Sequence, residues 1–228
     1  MYAKFFKRIF DIVLSLPALI ILSPGLIILS LVGAVKMRGN PFFVQPRPGK
    51  NEKIFKMIKF RTMTCEKNEN GTLLSDEARL TKYGRVLRGT SIDELPELIN
   101  IIKGDMSIVG PRPQLVRDMV FMTDLQRTRH TVRPGLTGLA QISGRNAILW
   151  DEKLEYDLRY IEKITFCGDI KIILKTAVKV LKRDGISEES MATAEDLGDY
   201  LLGNGTVNKI EYDKLQNKAD DYMNILKS

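Results

Sequence analysis

The sequence predicts an α/β or α+β domain, a small sheet with surrounding short helices, which carries an N-terminal re-entrant membrane helix and interfacial amphipathic helices. Three observations predict it. Residues 12–35 hold no charged side chain, "KFRTM" at 59–63 alternates polar and apolar positions, and Leu95, Leu98, Ile99 and Ile102 recur at helical spacing. With 228 residues and 44% hydrophobic content the chain can bury a core of its own, as one main domain with an appendage.

The first element is the apolar run. As a straight helix its 24 residues would reach roughly 36 Å, more than the ~30 Å hydrocarbon core of a bilayer. Pro24 sits at its midpoint, removing one backbone donor and crowding the Ile20 carbonyl, so a break is expected at Ser23 and Pro24, with the Ser23 hydroxyl placed to serve a freed backbone group. Cations flank both ends, Lys4, Lys7 and Arg8 before it and Lys36, Arg38, Arg47 and Lys50 after it. Positive flanks favour the cytosol, so both ends are expected on one side; a proline-kinked span is the alternative.

The middle of the chain supplies the chemistry. Cys65 and Cys167 are far apart and His130 is the only histidine, so disulfide frameworks, cysteine metal sites and histidine triads are poorly supported. There is no phosphate loop and no dinucleotide fingerprint. Carboxylates and arginines remain. Lys59 and Arg61 flank Phe60 on one face of a strand. In "RGTSIDELPELINIIKGD" the helix should begin at about Asp93, because Pro96 is harmless only in a first turn. Asp93 and Glu94 then lie at a helix N-terminus, where a plain capping role is the alternative. Arg85 and Arg88 precede them, and Arg112 is held between Pro111 and Pro113 in "GPRP", where a planar guanidinium can grip phosphate oxygens. Arg133 and Arg145 follow among Gly135, Gly138 and Gly144, glycines that would let a ligand approach the backbone. Each has a plain structural use, and together they describe an anion site.

The last elements differ in charge. "DIKIILKTAVKVLKR" spaces Lys171, Lys175, Lys179 and Lys182 three or four apart with Ile172, Ile173, Leu174, Val178 and Leu181 between them, a basic amphipathic helix suited to a headgroup layer or to an ordinary solvated surface. From Asp184 onward ten acidic residues face four basic ones, so that segment carries −6 of a total of +7 and leaves +13 on the rest. A basic body seeks a polyanion, and nucleic acid is disfavoured by the uncharged run at 12–35. In the tail, Leu215, Ala219, Tyr222 and Leu226 share one side of a possible helix, expected to be a solvated appendage.

The motifs "RPG" at 47–49, "KFRTM" at 59–63, "DELPEL" at 93–98, "KGDMSIVGPRP" at 103–113, "RPGLTGLAQISGRN" at 133–146 and "VLKR" at 180–183 occur in one order. They resemble the bacterial sugar transferases known as monotopic phosphoglycosyl transferases, over about residues 1–195. The small, single-domain branch that includes the bacillosamine-phosphate transferases is most similar. The resemblance implies transfer of a sugar 1-phosphate from a UDP-sugar to a polyprenyl phosphate such as undecaprenyl phosphate, with release of UMP, as the first membrane step of glycan assembly. It implies a covalent intermediate on Asp93, Mg²⁺ at Asp93 and Glu94, and a re-entrant break at Ser23 and Pro24. Substrate contacts fall to Lys59, Arg61, Arg88 and Arg112, and in the glycine-rich segment to Arg133, Gln141, Arg145 and Asn146. The implied organisation is a membrane helix at 1–36, a catalytic domain at 37–184 and an acidic extension at 185–228, on the cytoplasmic face of a bacterial inner membrane. A hexose-1-phosphate transferase of the same family and a non-catalytic protein that binds anionic lipid are the competing readings.

Overall fold

The computed structural model describes residues 1–144, 148–182 and 195–225. A π-helical turn, Tyr2–Phe6, leads into α1, Lys7–Lys36, which runs through both Pro17 and Pro24 without leaving helical backbone. The break expected at Ser23 and Pro24 is therefore a missing hydrogen bond inside a continuous helix. The Ser23 hydroxyl donates to the Ile20 carbonyl at 2.7 Å, the acceptor that Pro24 leaves without an N–H.

Helix α1 is inverted relative to a surface helix in water. Its buried positions are Lys7, Asp11, Ser15 and Gly33, one stripe at helical spacing. The other side bears Ile9, Val13, Ile20, Ile21, Ile27, Ile28, Leu31 and Val35, all more than half exposed. The body offers partners to its two charged members, while the buried Ser15 hydroxyl has none. Asp11 accepts the Ser107 hydroxyl at 2.9 Å and the Ile108 N–H at 3.0 Å, and Lys7 meets the buried Asp169 at 2.5 Å. Arg8 donates to the carbonyls of Ile101 and Ile102. Near the other end, the Tyr83 hydroxyl donates to the Leu29 carbonyl at 2.9 Å. Both ends thus rest on the same body. Among the described residues, Tyr2–Lys36 is the one helical stretch long and apolar enough to cross a membrane.

Strands β1, Phe42–Pro48, and β2, Ile54–Phe60, form an antiparallel hairpin. Its turn holds Asn51 and Glu52 at positive φ. Two short helices follow, α2, Asp76–Arg79, and α3, Lys82–Gly89, with Ser75 and Thr81 hydroxyls capping them. A 3₁₀ turn at Ile92–Glu94 precedes α4, Glu97–Lys103. Strand β3, Ser107–Val109, pairs in parallel with β4, Gly135–Thr137. Between them lie α5, Val116–Met119, and α6, Asp124–Arg127. Helices α7, Leu139–Ser143, α8, Trp150–Glu162, and α9, Phe166–Lys182, complete the body. Short helices around small sheets agree with the expectation from sequence.

Helix α9 turns Asp169 and Ile172 into the core and leaves Leu174, Val178 and Leu181 exposed beside Lys171, Lys175 and Lys182. The tail behaves otherwise. Helices α10, Leu197–Gly203, and α11, Lys209–Ile225, with the connection between them, bury Leu197, Val207 and Ala219 against Val116, Met119, Phe121, Trp150 and Leu154. Leu215 and Tyr222 pack on the same cluster, and Leu226 lies outside the described residues. The tail expected to be a solvated appendage closes one of the protein's hydrophobic cores.

Candidate active site

The carboxylates are set by backbone geometry. Ser91 takes φ 56°, which turns the chain out of α3, and the 3₁₀ turn then carries Asp93 and Glu94 to the start of α4, where Pro96 sits with φ −60°. No side-chain cap forms there, so the plain capping role considered from sequence is not taken. Asn100 fixes α4 against β2. Its side chain accepts the Ile58 N–H at 3.1 Å and donates to the Lys56 carbonyl at 2.8 Å.

That registration brings Lys59 from β2 to the carboxylates. Its ammonium lies 2.9 Å from Glu94 Oε1 and 3.2 Å from Glu97 Oε1. Arg112 reaches the same Glu94 oxygen at 2.8 Å. Asp93, by contrast, makes no hydrogen bond or ion pair with any described residue. The charges divide accordingly. Burial opposes ionisation of Glu94, but Arg112 and Lys59 outweigh it and hold its pKa well below the usual carboxylate range. Burial, then the neighbouring Glu94, pushes Asp93 up, and Lys59, Arg88 and Arg112 offset only part of that rise. Burial also raises Glu97, the third carboxylate of the cluster. Glu94 in return holds Arg112 firmly charged.

The Arg112 loop is held from behind. The β3–β4 pair fixes its start, with the Gly135 N–H donating to the Pro111 carbonyl at 2.9 Å. Arg129, buried and paired with Asp157 at 2.5 Å, donates to the Arg112 carbonyl at 2.6 Å. Arg47 donates to the Pro113 carbonyl at 3.1 Å, and its buried Nε has no partner. Burial, then Arg112, lowers the Arg47 pKa to about 10.

Of the residues expected to touch substrate, Lys59 and Arg112 surround the carboxylate pair, and Arg88 adds its charge to Asp93 while its Nε donates to the Thr62 hydroxyl at 3.0 Å. Arg61 follows the end of β2 and forms no ion pair with a described residue. Arg133 donates to the Gly104 carbonyl at 2.8 Å, at the far end of α4. Gln141 approaches the Leu136 carbonyl at 3.4 Å and keeps a buried, unpartnered oxygen. Arg145 and Asn146 lie outside the described residues. The glycines have a reason other than ligand access: a Cβ on Gly135 would stand 2.1 Å from the Gly110 nitrogen, and one on Gly138 2.2 Å from the Gly110 oxygen. They let two chain segments pass in contact. His130 is buried with its Nδ1 3.6 Å from Glu52, and burial with the Arg129 charge lowers its pKa to about 4, so it is neutral.

Sequence reasoning missed Glu97, Arg47 as a loop support, and Lys153, half-buried over the Trp150 ring at 5.3 Å and within the field of Arg112. The "DELPEL" spacing could have found Glu97, since Glu94 and Glu97 lie one turn apart.

The donor set suits Mg²⁺, which takes hard oxygens and commonly one or two carboxylates together with substrate phosphates. Asp93 offers both oxygens, and Glu94 offers the oxygen that Lys59 and Arg112 leave free. Among the described residues no group of three or more His, Cys, Asp or Glu forms a cage, so substrate oxygens would complete such a site.

The model of a family described as bacterial sugar transferase matches residues 2–183. An uncharacterized sugar transferase, EpsL, of Bacillus subtilis is 47% identical over 191 residues, covering 83% of this chain and 94% of the relative. The undecaprenyl-phosphate galactose phosphotransferase of Salmonella typhimurium is 39% identical over 80% of this chain and 42% of its own length. The UDP-glucose:undecaprenyl-phosphate glucose-1-phosphate transferase of Klebsiella pneumoniae is 39% identical over 76% of this chain and 40% of its own length. This chain therefore spans less than half the length of the latter two.

Proposed function

This chain belongs to the bacterial sugar transferase family, and we propose that it transfers a sugar 1-phosphate from a UDP-sugar to a polyprenyl phosphate, releasing UMP. The observation that carries the reading is the division of labour in the carboxylate pair: Glu94 is ionised and held by two cations, while Asp93 is free of partners beside it. The names of the Salmonella and Klebsiella relatives support the donor and acceptor classes.

In this reaction an Asp93 oxygen attacks the phosphorus that bears the sugar, and the bond from that phosphorus to the bridging oxygen breaks, so UMP leaves with the electron pair. An acyl phosphate remains on Asp93. An oxygen of the lipid phosphate then attacks the same phosphorus and returns the carboxylate, so one difficult transfer becomes two easier ones. Both steps bring anions together. Arg112, Lys59 and Arg88 lower that repulsion, the first two held by Glu94 and the third bonded to the Thr62 hydroxyl. Mg²⁺ held by Asp93 and Glu94 would add neutralising charge at the diphosphate.

The acceptor is a membrane lipid, and the surface of the protein suits that. The outward apolar face of α1, the contacts of both its ends with one body, and the exposed Leu174, Val178 and Leu181 among lysines support a helix that enters the bilayer without crossing it, with α9 at the interface. The site then faces the cytoplasmic side of the inner membrane. Relatives named for galactose and glucose favour a hexose as the second reading of the sugar, beside the amino sugar implied by the motif resemblance.

The test is a half-reaction. With Mg²⁺ and the correct UDP-sugar but no lipid, the enzyme should release at most one equivalent of UMP and gain the mass of one phospho-sugar, which added polyprenyl phosphate removes. Asp93→Asn should abolish the adduct. Turnover without an adduct, together with a strict need for both substrates before UMP appears, would replace this mechanism with direct transfer. Screening UDP-glucose, UDP-galactose and N-acetylated UDP-amino sugars in the same assay identifies the donor.

A further inference from the structure

The family match ends at residue 183, yet the tail beyond it docks directly behind the Arg112 loop. Asp118, only 2% exposed, is the joint. One of its oxygens accepts the Leu115 N–H at 3.0 Å, fixing the end of the loop that begins at Arg112. Its other oxygen accepts the Leu197 N–H, also at 3.0 Å, at the first turn of α10. Around this joint the tail is seated by an ion pair from Asp196 to Arg117, by the Trp150 indole N–H on the Glu195 carbonyl at 3.0 Å, and by Gly198 lying flat on Phe121. The loop has three supports: Arg129 on the Arg112 carbonyl, Arg47 on the Pro113 carbonyl and Asp118 on the Leu115 N–H. Two belong to the body. The third is shared with the tail.

We propose that the C-terminal extension is a positioning element of the donor site: α10, by giving the Leu197 N–H to Asp118, holds the Arg112–Leu115 loop in the geometry that grips the diphosphate of the sugar nucleotide. The inference rests on the reading of Arg112 as a donor-binding residue. Without α10, one oxygen of a buried carboxylate loses its donor, and a buried acceptor left unpaired turns toward water or another partner. Turning Asp118 releases Leu115. Two residues beyond Pro113, that release reaches the guanidinium, whose fork must meet phosphate oxygens in register.

Leu197 is the first residue of α10, and Asp196 before it is extended at ψ 155°, so proline fits the backbone at 197 and, of the backbone groups, removes the N–H alone. Leu197→Pro and Leu197→Ala both lose the leucine side chain and should melt together, but only the proline lacks the donor. Asp118→Asn keeps the shape and withdraws one acceptor. The readout is the affinity of UDP, measured by calorimetry with Mg²⁺ on the full chain in lipid nanodiscs. Leu197→Pro and Asp118→Asn should weaken UDP about tenfold, the order of one charge-assisted hydrogen bond, with Leu197→Ala within about twofold of wild type. In an Arg112→Lys background the proline should change UDP affinity by less than about twofold, since the fork it positions is already gone.

Wild-type affinity in both Leu197→Pro and Asp118→Asn would overturn the proposal. So would an equal loss in Leu197→Ala, which would assign the effect to packing, or an undiminished loss in the Arg112→Lys background. Unchanged UDP affinity in Arg112→Lys itself would remove the premise as well. Impaired Arg112→Lys beside a normal proline variant would reject this inference alone.

Discussion

The two ends of the chain are both amphipathic helices, and they bury opposite faces. Helix α1 turns Lys7, Asp11 and Ser15 inward and its isoleucines outward, whereas α10 and α11 turn Leu197 and Ala219 inward and leave their charges outside. The tail obeys the ordinary rule for water, where burying apolar area is the driving force. In α1 the outward face has no such force against it if its solvent is hydrocarbon, and the inward face must satisfy polar groups instead. The comparison teaches that periodicity locates a helix and its two faces, while the solvent decides which face goes in.

The largest effect should come from charging the outward face. Lysine at Ile20 and Ile27, 64% and 60% exposed, adds about 2.5–3.5 kcal/mol per residue at membrane depth, so the double variant should leave the membrane fraction or fail to accumulate. Ile210→Lys, at an 84% exposed tail position, should shift stability by less than about 0.5 kcal/mol. Equal membrane retention of the double variant and wild type in fractionation would show that α1 does not face lipid.

A smaller effect is expected on the inward stripe. Asp11→Leu makes α1 more apolar and should still destabilise the protein by about 1–3 kcal/mol, because the Ser107 hydroxyl and Ile108 N–H lose their acceptor. Thermal unfolding in detergent reads this, and a raised midpoint would mean the stripe tolerates the logic of the tail.

The smallest concerns the proline. Ser23→Ala should cost about 0.5–1.5 kcal/mol through the Ile20 carbonyl, and close to nothing once Pro24→Ala restores an N–H for that carbonyl. Additive losses across this cycle would show that the hydroxyl does not serve as the substitute donor.

Legibility followed the range of the interactions. The elements around Asp93 and Glu94, and the approach of Lys59 and Arg112, were readable because each motif is local and each residue type has few uses. Arg133 was placed beside them by motif, yet it serves the Gly104 carbonyl, a choice made by the tertiary position of α4. Gly135 and Gly138 announced close approach, but not that the visitor is the chain's own Gly110. In the tail, Leu215, Ala219 and Tyr222 revealed a face without its partner. That partner is assembled from Val116, Met119, Phe121 and Trp150, residues more than sixty positions upstream whose spacing carries no mark of what covers them.

The contact between Lys7 and Asp169 spans 162 positions, and that between Asp11 and Ser107 spans 96. Helix α1 therefore leaves the ribosome before the elements it packs against and is among the last to be completed. At about 5–20 residues per second, its inward stripe waits on the order of 10–30 s for Asp169. During that interval Lys7 lacks its ion-pair partner, whereas Asp11 can already meet Ser107 and Ile108, so the inward stripe is satisfied in two stages as the chain emerges.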